Sequence, residues 1–392
     1  MKKMMLLLAA AIGFSVAAEV PLKGFLSPRV WRKQQFAQFV KEKEKIVALK
    51  LLPGISRASV WAMDYPLDGG KDINTVYEGI SFEVKGDGSD EWGNIVIGEN
   101  QAFLGHWYFP LKNNEWKKYT VSFADMAPAN DYSAGLIHKM PVTRLCTINF
   151  GDYWRITWCN ARRAPFSYQV RNLALVKKVA PKYPYGKYRK AMPLAEAVKK
   201  MKSNSKVQIS CFGDSITAGT CLRKGEKRYA ELLGEMLAAK YKNPNIKSVC
   251  VAVGGARTKD SIAWMERDFT KGTPDVATML IGYNNRSGGQ SAEMYRKQLE
   301  IWIDHLLART NGKTAIILIP TLPGIPRWYG QDDMAKMVYE VARKYNCTVV
   351  PLEKMIKKMG PFEYRKKYLA DGVHPNQAGH KLFAEEIVKY FK

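Results

Sequence analysis

An apolar run, Val207 to Phe212, passes directly into Gly213-Asp214-Ser215-Ile216-Thr217-Ala218-Gly219. A strand that ends on glycine and hands over to helix-compatible residues leaves a hydroxyl at the mouth of a sheet. That junction restricts the second half of the chain to folds in which strands alternate with helices.

The flanking pattern agrees with it. Strand-like runs recur at 207–212, 247–253, 277–281, 314–320 and 347–351, and the stretches between them are long enough for helices. Residues 226–241, 290–309, 331–345 and 377–391 are the helix candidates. This alternation predicts an α/β three-layer domain, a parallel sheet between helices, over 205–392. Loops at the carboxyl ends of such strands gather along one edge, so residues remote in sequence can meet there. Ser215, Gly255, Asn284 and His374 all fall just after predicted strands or in loops.

A serine hydroxyl is a poor nucleophile unless a base lies within hydrogen-bond reach and a third group orients that base. The C-terminus offers both in Asp371-Gly372-Val373-His374-Pro375. An imidazole titrates near neutral pH and can take and return a proton, and a carboxylate three residues earlier can be turned against it. His106, His138, His305 and His380 have no assigned chemistry, and His380, on the last predicted helix, is expected at the surface.

Gly-Asp-Ser near the start of the domain, a Gly-x-Asn in Gly282-Tyr283-Asn284-Asn285 and the closing Asp-x-x-His together resemble the SGNH (GDSL) hydrolase family. The resemblance covers residues 205–392, about half the chain, and implies a flavodoxin-like sheet. It implies Ser215 as nucleophile, His374 as general base and acid, and Asp371 as the residue that orients the imidazole. The Ser215 and Gly255 backbone N–H groups and the Asn284 amide are implied as the donors that hold the oxyanion. Asp214 and Asn285 are implied as supporting residues. At Asn285 the family more often carries aspartate, which puts local geometry rather than reaction type in question. No metal and no organic cofactor is implied, and no Cys or His spacing resembles a metal site.

Residues 19–176 read differently. Apolar positions alternate at Ile80, Phe82 and Val84, at Ile95 and Ile97, at Tyr119, Val121 and Phe123, at Ile148 and Phe150, and at Tyr168 and Val170. Turn signals such as Gly86-Asp87-Gly88 and Asn113-Asn114 separate them, which predicts an all-β sandwich. Seven tryptophans, Trp31, Trp61, Trp92, Trp107, Trp116, Trp154 and Trp158, fall here. If exposed they would form a stacking platform for sugar rings; if buried they fill the core. The phrases Gly79 to Gly88 and Trp116 to Val121 resemble galactose-binding-like jelly rolls, which implies a carbohydrate-binding-like domain.

Between the halves, residues 177–204 hold Pro181, Pro184, Gly186 and Pro193 and read as a basic linker with one short helix near 194–201. From Lys177 to Lys206 ten Lys or Arg face one acid, Glu196. The net charge is +25, or +23 without Lys2 and Lys3. No nucleic-acid motif accompanies it, so no nucleic-acid partner is expected. Residues 1–18 have the basic, apolar and small-residue zones of a signal peptide with cleavage after Ala18, which predicts a periplasmic or extracellular protein. The apolar run is too short to span a bilayer, so no stable membrane insertion is expected. Cys146 could pair with Cys159 and Cys211 with Cys221, while Cys211, Cys250 and Cys347 also suit buried free thiols.

The expected activity is a secreted serine esterase acting on an O-acyl, above all O-acetyl, group of a carbohydrate or polysaccharide. A lipid esterase or lysophospholipase, an amidase and an exported carbohydrate-binding protein without activity are the alternatives.

Overall fold

The computed structural model describes residues 18–22, 24–27, 37–43, 45–51, 59–66, 73–99, 102–135, 144–151 and 166–392. The expected signal peptide, Cys159 and the side chains of Cys146, Trp31, Trp61, Trp154 and Trp158 lie outside the described residues.

The N-terminal half contributes eleven described strands: β1 (Glu19–Pro21), β2 (Ala37–Glu42), β3 (Lys45–Leu51), β4 (Ser59–Pro66), β5 (Gly79–Lys85), β6 (Trp92–Glu99), β7 (Ala102–Pro110), β8 (Lys117–Ser122), β9 (Ala127–Pro128), β10 (Arg144–Gly151) and β11 (Tyr168–Val176). They form two antiparallel sheets, β2-β3-β11-β5-β8 with β1 beside β11, and β4-β10-β6-β7-β9. Period-2 burial makes them a sandwich. Ile80, Phe82 and Val84 of β5 face Ile95, Ile97, Phe109, Ile148 and Phe150 of the other sheet in one core. Phe82 lies at its centre, with ring centroids 5.5–6.4 Å from those of Trp107, Phe109, Tyr119 and Phe150, a spacing that favours edge and tilted contacts.

The three tryptophans of this half whose side chains are described, Trp92, Trp107 and Trp116, are partly buried. Trp107 packs on the sandwich core, Trp92 packs on a core of the C-terminal half, and the Arg171 guanidinium lies 4.0 Å above the Trp116 ring.

The C-terminal half holds β12 (Val207–Gly213), β13 (Ile246–Cys250), β14 (Val276–Leu280), β15 (Ala315–Ile319) and β16 (Thr348–Val349). All pair in parallel, in the order β13-β12-β14-β15-β16. Helices cover both faces, so the central strands β14 and β15 are buried along their whole length, and β15 reads as a continuous apolar run. Along β15, Ala315, Ile317 and Ile319 enter one core while Ile316 and Leu318 enter the other. The order reverses between β13 and β14, on either side of β12, and the crevice beyond their carboxyl ends is where such sheets bind ligands.

The basic segment between the halves is strapped down rather than free. The Gly186 N–H donates to Asp304 (2.7 Å), Ala191 and Met192 N–H donate to the Tyr345 and Thr314 carbonyls, and Ala197, Val198 and Met201 of the helix Leu194–Lys202 are buried. The sandwich also packs directly on the second half. Tyr108 of β7 meets Trp264 edge-on at 6.5 Å. Residues 127–135 lie against the helices Thr258–Ala263 and Ala292–Arg309, where Gln298 Nε2 donates to the Asn130 (3.3 Å) and Ser133 (3.1 Å) carbonyls.

Two expectations are corrected. His380 is fully buried, because the helix Gln377–Val388 packs on Tyr229–Tyr241 and the ring Nδ1 accepts the Tyr229 N–H (3.2 Å). Burial pushes its pKa down to about 4, so the ring is held neutral. Cys211 and Cys221 do not pair; both are free thiols, Cys211 buried in the sheet and Cys221 exposed beyond it.

Among the described residues no helix is long and apolar enough to cross a membrane.

Candidate active site

β12 ends on Gly213, whose pairing partner on β14 is Leu280. A methyl group at Gly213 would meet Thr217 Oγ1 at 2.2 Å and the Leu280 carbonyl at 2.6 Å, so only glycine fits where the chain turns into the helix Ser215–Ala218. Asp214 caps that helix by accepting the Ile216 N–H (3.0 Å), as short polar side chains do at helix starts. Ser215 is thereby delivered to the sheet edge.

His374 arrives from the other end of the chain. Leu369 bridges to Pro375 and the Ala370 N–H donates to the His374 carbonyl (2.9 Å), closing a tight loop around Asp371-Gly372-Val373. Asp371 builds that loop with one oxygen, Oδ1, which accepts the N–H groups of Val373 (2.6 Å) and His374 (2.7 Å). Its other oxygen, Oδ2, lies 2.7 Å from His374 Nδ1, and His374 Nε2 lies 2.9 Å from Ser215 Oγ. An acceptor-only carboxylate at Nδ1 requires the ring proton there, which leaves Nε2 as an acceptor facing the serine hydroxyl.

Partial burial tends to raise the Asp371 pKa, but the His374 ring and the two backbone N–H groups hold it down to about 2. It therefore stays anionic throughout the pH range in which an imidazole acts as base.

Gly255 and Asn284 reach the same edge. Beyond β13 the chain stays hydrogen-bonded to β12, with Val251 and Val253 N–H donating to the Cys211 and Gly213 carbonyls, and then turns at Gly255 with φ 73°. Glycine is the residue that adopts this left-handed conformation without strain. Asn284 follows β14 in the short helix Tyr283–Ser287, and its Nδ2 donates to the Ala256 carbonyl (3.2 Å). A carboxamide has two N–H groups, so this bond fixes the side chain and leaves the second donor available. Asn285 turns inward instead, fully buried.

Two neighbours were not apparent from the sequence. The Cys221 thiol donates to Asp371 Oδ2 (3.6 Å), at a residue with φ 77°. Tyr283 packs under Gly324, and the loop after Gly324 is tied to the catalytic loop where the Ile325 N–H donates to the Gly372 carbonyl (2.8 Å). Burial pushes the Tyr283 pKa up, with Arg327 opposing the rise and Asp371 and Asp214 adding to it. Neither the lone thiol nor the tyrosine carries a motif that spacing alone would reveal. Cys221, Asp371 and His374 are also the metal-ligand types that come within 4.8 Å of one another among the described residues. A cation there would take over the groups that orient the imidazole.

Asp214 yields a prediction. Burial pushes its carboxyl up to about 7 from 3.8, against the Ile216 N–H and the nearby His374, which both favour the anion. The folded protein therefore binds this proton more tightly than the unfolded chain. The resulting stability is complete below about pH 4, declines as pH rises and is gone above about pH 7. Asp214→Asn keeps the cap and cannot ionise. Relative to wild type it should gain stability between pH 4.5 and pH 8, by on the order of 2–4 kcal/mol. Urea unfolding at the two pH values measures this gain, and a mutant-to-wild-type difference independent of pH would refute it.

Known proteins resemble part of this chain. Residues 211–382 match the model of the GDSL-like lipase/acylhydrolase family. An acetylxylan esterase of Xylanibacter ruminicola is 25% identical over 214 residues, 47% of this chain and 43% of the relative, so the chain spans less than half of that protein. An acetylxylan esterase of Geobacillus stearothermophilus is 24% identical over 211 residues, 48% of this chain and 95% of the relative. Among solved structures, a two-domain esterase active on acetylated mannans is 23% identical, with TM-score 0.43 over 50% of this chain and 52% of that one.

Proposed function

We propose that this protein, whose C-terminal half belongs to the GDSL-like lipase/acylhydrolase family, is a serine esterase that removes acyl groups, chiefly acetyl, from carbohydrate hydroxyls. The observation that carries the reading is the continuous Ser215–His374–Asp371 hydrogen-bonded chain at the switch point of the sheet. The preference for acetylated carbohydrate rests on the two acetylxylan esterases among its relatives.

In this reading Ser215 Oγ attacks the ester carbonyl carbon as its proton passes to His374 Nε2. The carbonyl oxygen becomes anionic and is held by the Ser215 and Gly255 N–H groups and the free Asn284 N–H. The tetrahedral adduct collapses, the sugar hydroxyl leaves with the proton from His374, and Ser215 carries the acyl group. Water, deprotonated by the same imidazole, then releases the carboxylic acid and restores the serine. Asp371 steadies the imidazolium through both halves without taking its proton.

The test is acetate release from acetylated xylan and acetylated mannan, with tributyrin and a lysophospholipid as competing substrates. Acetate from the polysaccharides, with little hydrolysis of the lipids, is expected. Hydrolysis confined to the lipids would replace the carbohydrate assignment, and no hydrolysis of any ester by folded protein would refute the enzyme.

A further inference from the structure

The donors assigned to the oxyanion stand on two loops, and a buried polar chain joins both loops to the N-terminal sandwich. Gln290 is the link. Its Nε2 donates to the Asp131 backbone carbonyl (2.7 Å) and its Oε1 accepts Asn285 Nδ2 (2.6 Å). Asn285 Oδ1 in turn accepts the N–H (3.3 Å) and hydroxyl (3.4 Å) of Thr258. Asn285 adjoins Asn284, and Thr258 stands three residues beyond Gly255.

The direction of every bond is fixed from the sandwich outward. A backbone carbonyl can only accept, so Gln290 must turn its amide nitrogen to Asp131 and its oxygen to Asn285. Residue 285 must then supply a donor to Gln290 and an acceptor to Thr258, which a carboxamide does and an aspartate does not. Gln290, Asn285 and Thr258 are all fully buried, so a broken link would strand a polar group away from water.

Asp131 makes a second tie. Its Oδ2 is salt-bridged to Arg257 Nη1. Arg257 heads the helix Thr258–Ala263, its N–H donating to Asp260 Oδ2 (2.8 Å). The same guanidinium covers Gly288 at the end of the helix that starts on Tyr283; a methyl group at Gly288 would lie 2.5 Å from it. One acidic residue of the sandwich therefore grips both loops.

We infer that Asp131 and Gln290 are positioning residues for ester hydrolysis, through which the N-terminal sandwich holds the Gly255 and Asn284 donors in place. The inference rests on the esterase reading above. It gives the sandwich a role in the turnover step that does not depend on binding sugar.

The test measures kcat and KM on p-nitrophenyl acetate for the full chain and for Asp131→Ala, Asp131→Glu and Gln290→Leu. A shift of donors by a fraction of an ångström predicts kcat lower by about 10-fold in Asp131→Ala and Gln290→Leu. KM should stay within about twofold, and the pH dependence of kcat should be unchanged because His374 is untouched. Asp131→Glu should recover part of the loss. Lys182→Met, which cuts the Lys182–Glu266 pair (3.0 Å) between the linking segment and the second half, should keep kcat.

The inference is overturned if Gln290→Leu and either folded Asp131 variant turn over at the wild-type rate. It is overturned too if the loss lies in KM alone, or if Lys182→Met loses as much. An inactive wild type would instead remove the esterase reading itself.

Discussion

Replacing Ser215 with alanine should lower kcat for acetyl esters by roughly 10⁴- to 10⁶-fold, the scale on which removing a triad nucleophile acts. The hydroxyl is the one group at this position that can bond to the acyl carbon, and His374 Nε2 stands 2.9 Å away to receive its proton. The fold should be indifferent to the change. Ser215 is only half-buried and its backbone, not its side chain, fits the turn after Gly213. Thermal unfolding should therefore leave Tm within a degree or two of wild type. His374→Ala should cost about as much, and the double variant little more than either single one, because the two residues act as one unit. Retained turnover in Ser215→Ala would require a different nucleophile.

The second large effect is expected at Asn284. Removing one preorganised oxyanion donor lowers kcat by about 10²- to 10³-fold, or roughly 3–4 kcal/mol of transition-state stabilisation. Asn284→Ala removes such a donor and also frees the Ala256 carbonyl that the amide now holds. Because the contact tightens as charge develops on the carbonyl oxygen, the loss should fall on kcat while KM moves little. Steady-state kinetics on p-nitrophenyl acetate separate the two. A rise in KM with kcat preserved would make Asn284 a binding residue and leave the oxyanion to the backbone donors.

Much of the architecture could be read in advance where a single local pattern determined it. The runs 207–212, 277–281 and 314–320 match β12, β14 and β15 to within one residue at each end, since strands buried on both faces are mostly apolar. The sandwich follows from the period-2 alternation instead, with Ile80, Phe82 and Val84 turned to one core. The helix Thr258–Ala263 was invisible. Its Thr-Lys-Asp-Ser sequence reads as solvated, yet all six residues are buried, because the helix Ala292–Arg309 on one side and β7 and β9 of the sandwich on the other pack against them. His380 misled in the same way, as burial there comes from a helix about 150 residues earlier.

The site divides along the same line. Ser215, Asp371 and His374 stood in short motifs, and the structure brings their side chains together. Asn285 carried the one visible hint of something further, an amide where an acid is usual, and its meaning depended on Gln290 and a carbonyl of the other half. No spacing rule connects residues 131 and 290.

The most direct measurement is to treat the protein with diisopropyl fluorophosphate and map the adduct by peptide mass spectrometry. An activated serine forms an oxygen–phosphorus bond and releases fluoride with the serine proton. One diisopropylphosphoryl group is expected, on Ser215, with loss of acetate release in proportion to labelling and no adduct in His374→Ala. An active protein that labels elsewhere, or that stays active with Ser215 fully modified, would contradict it.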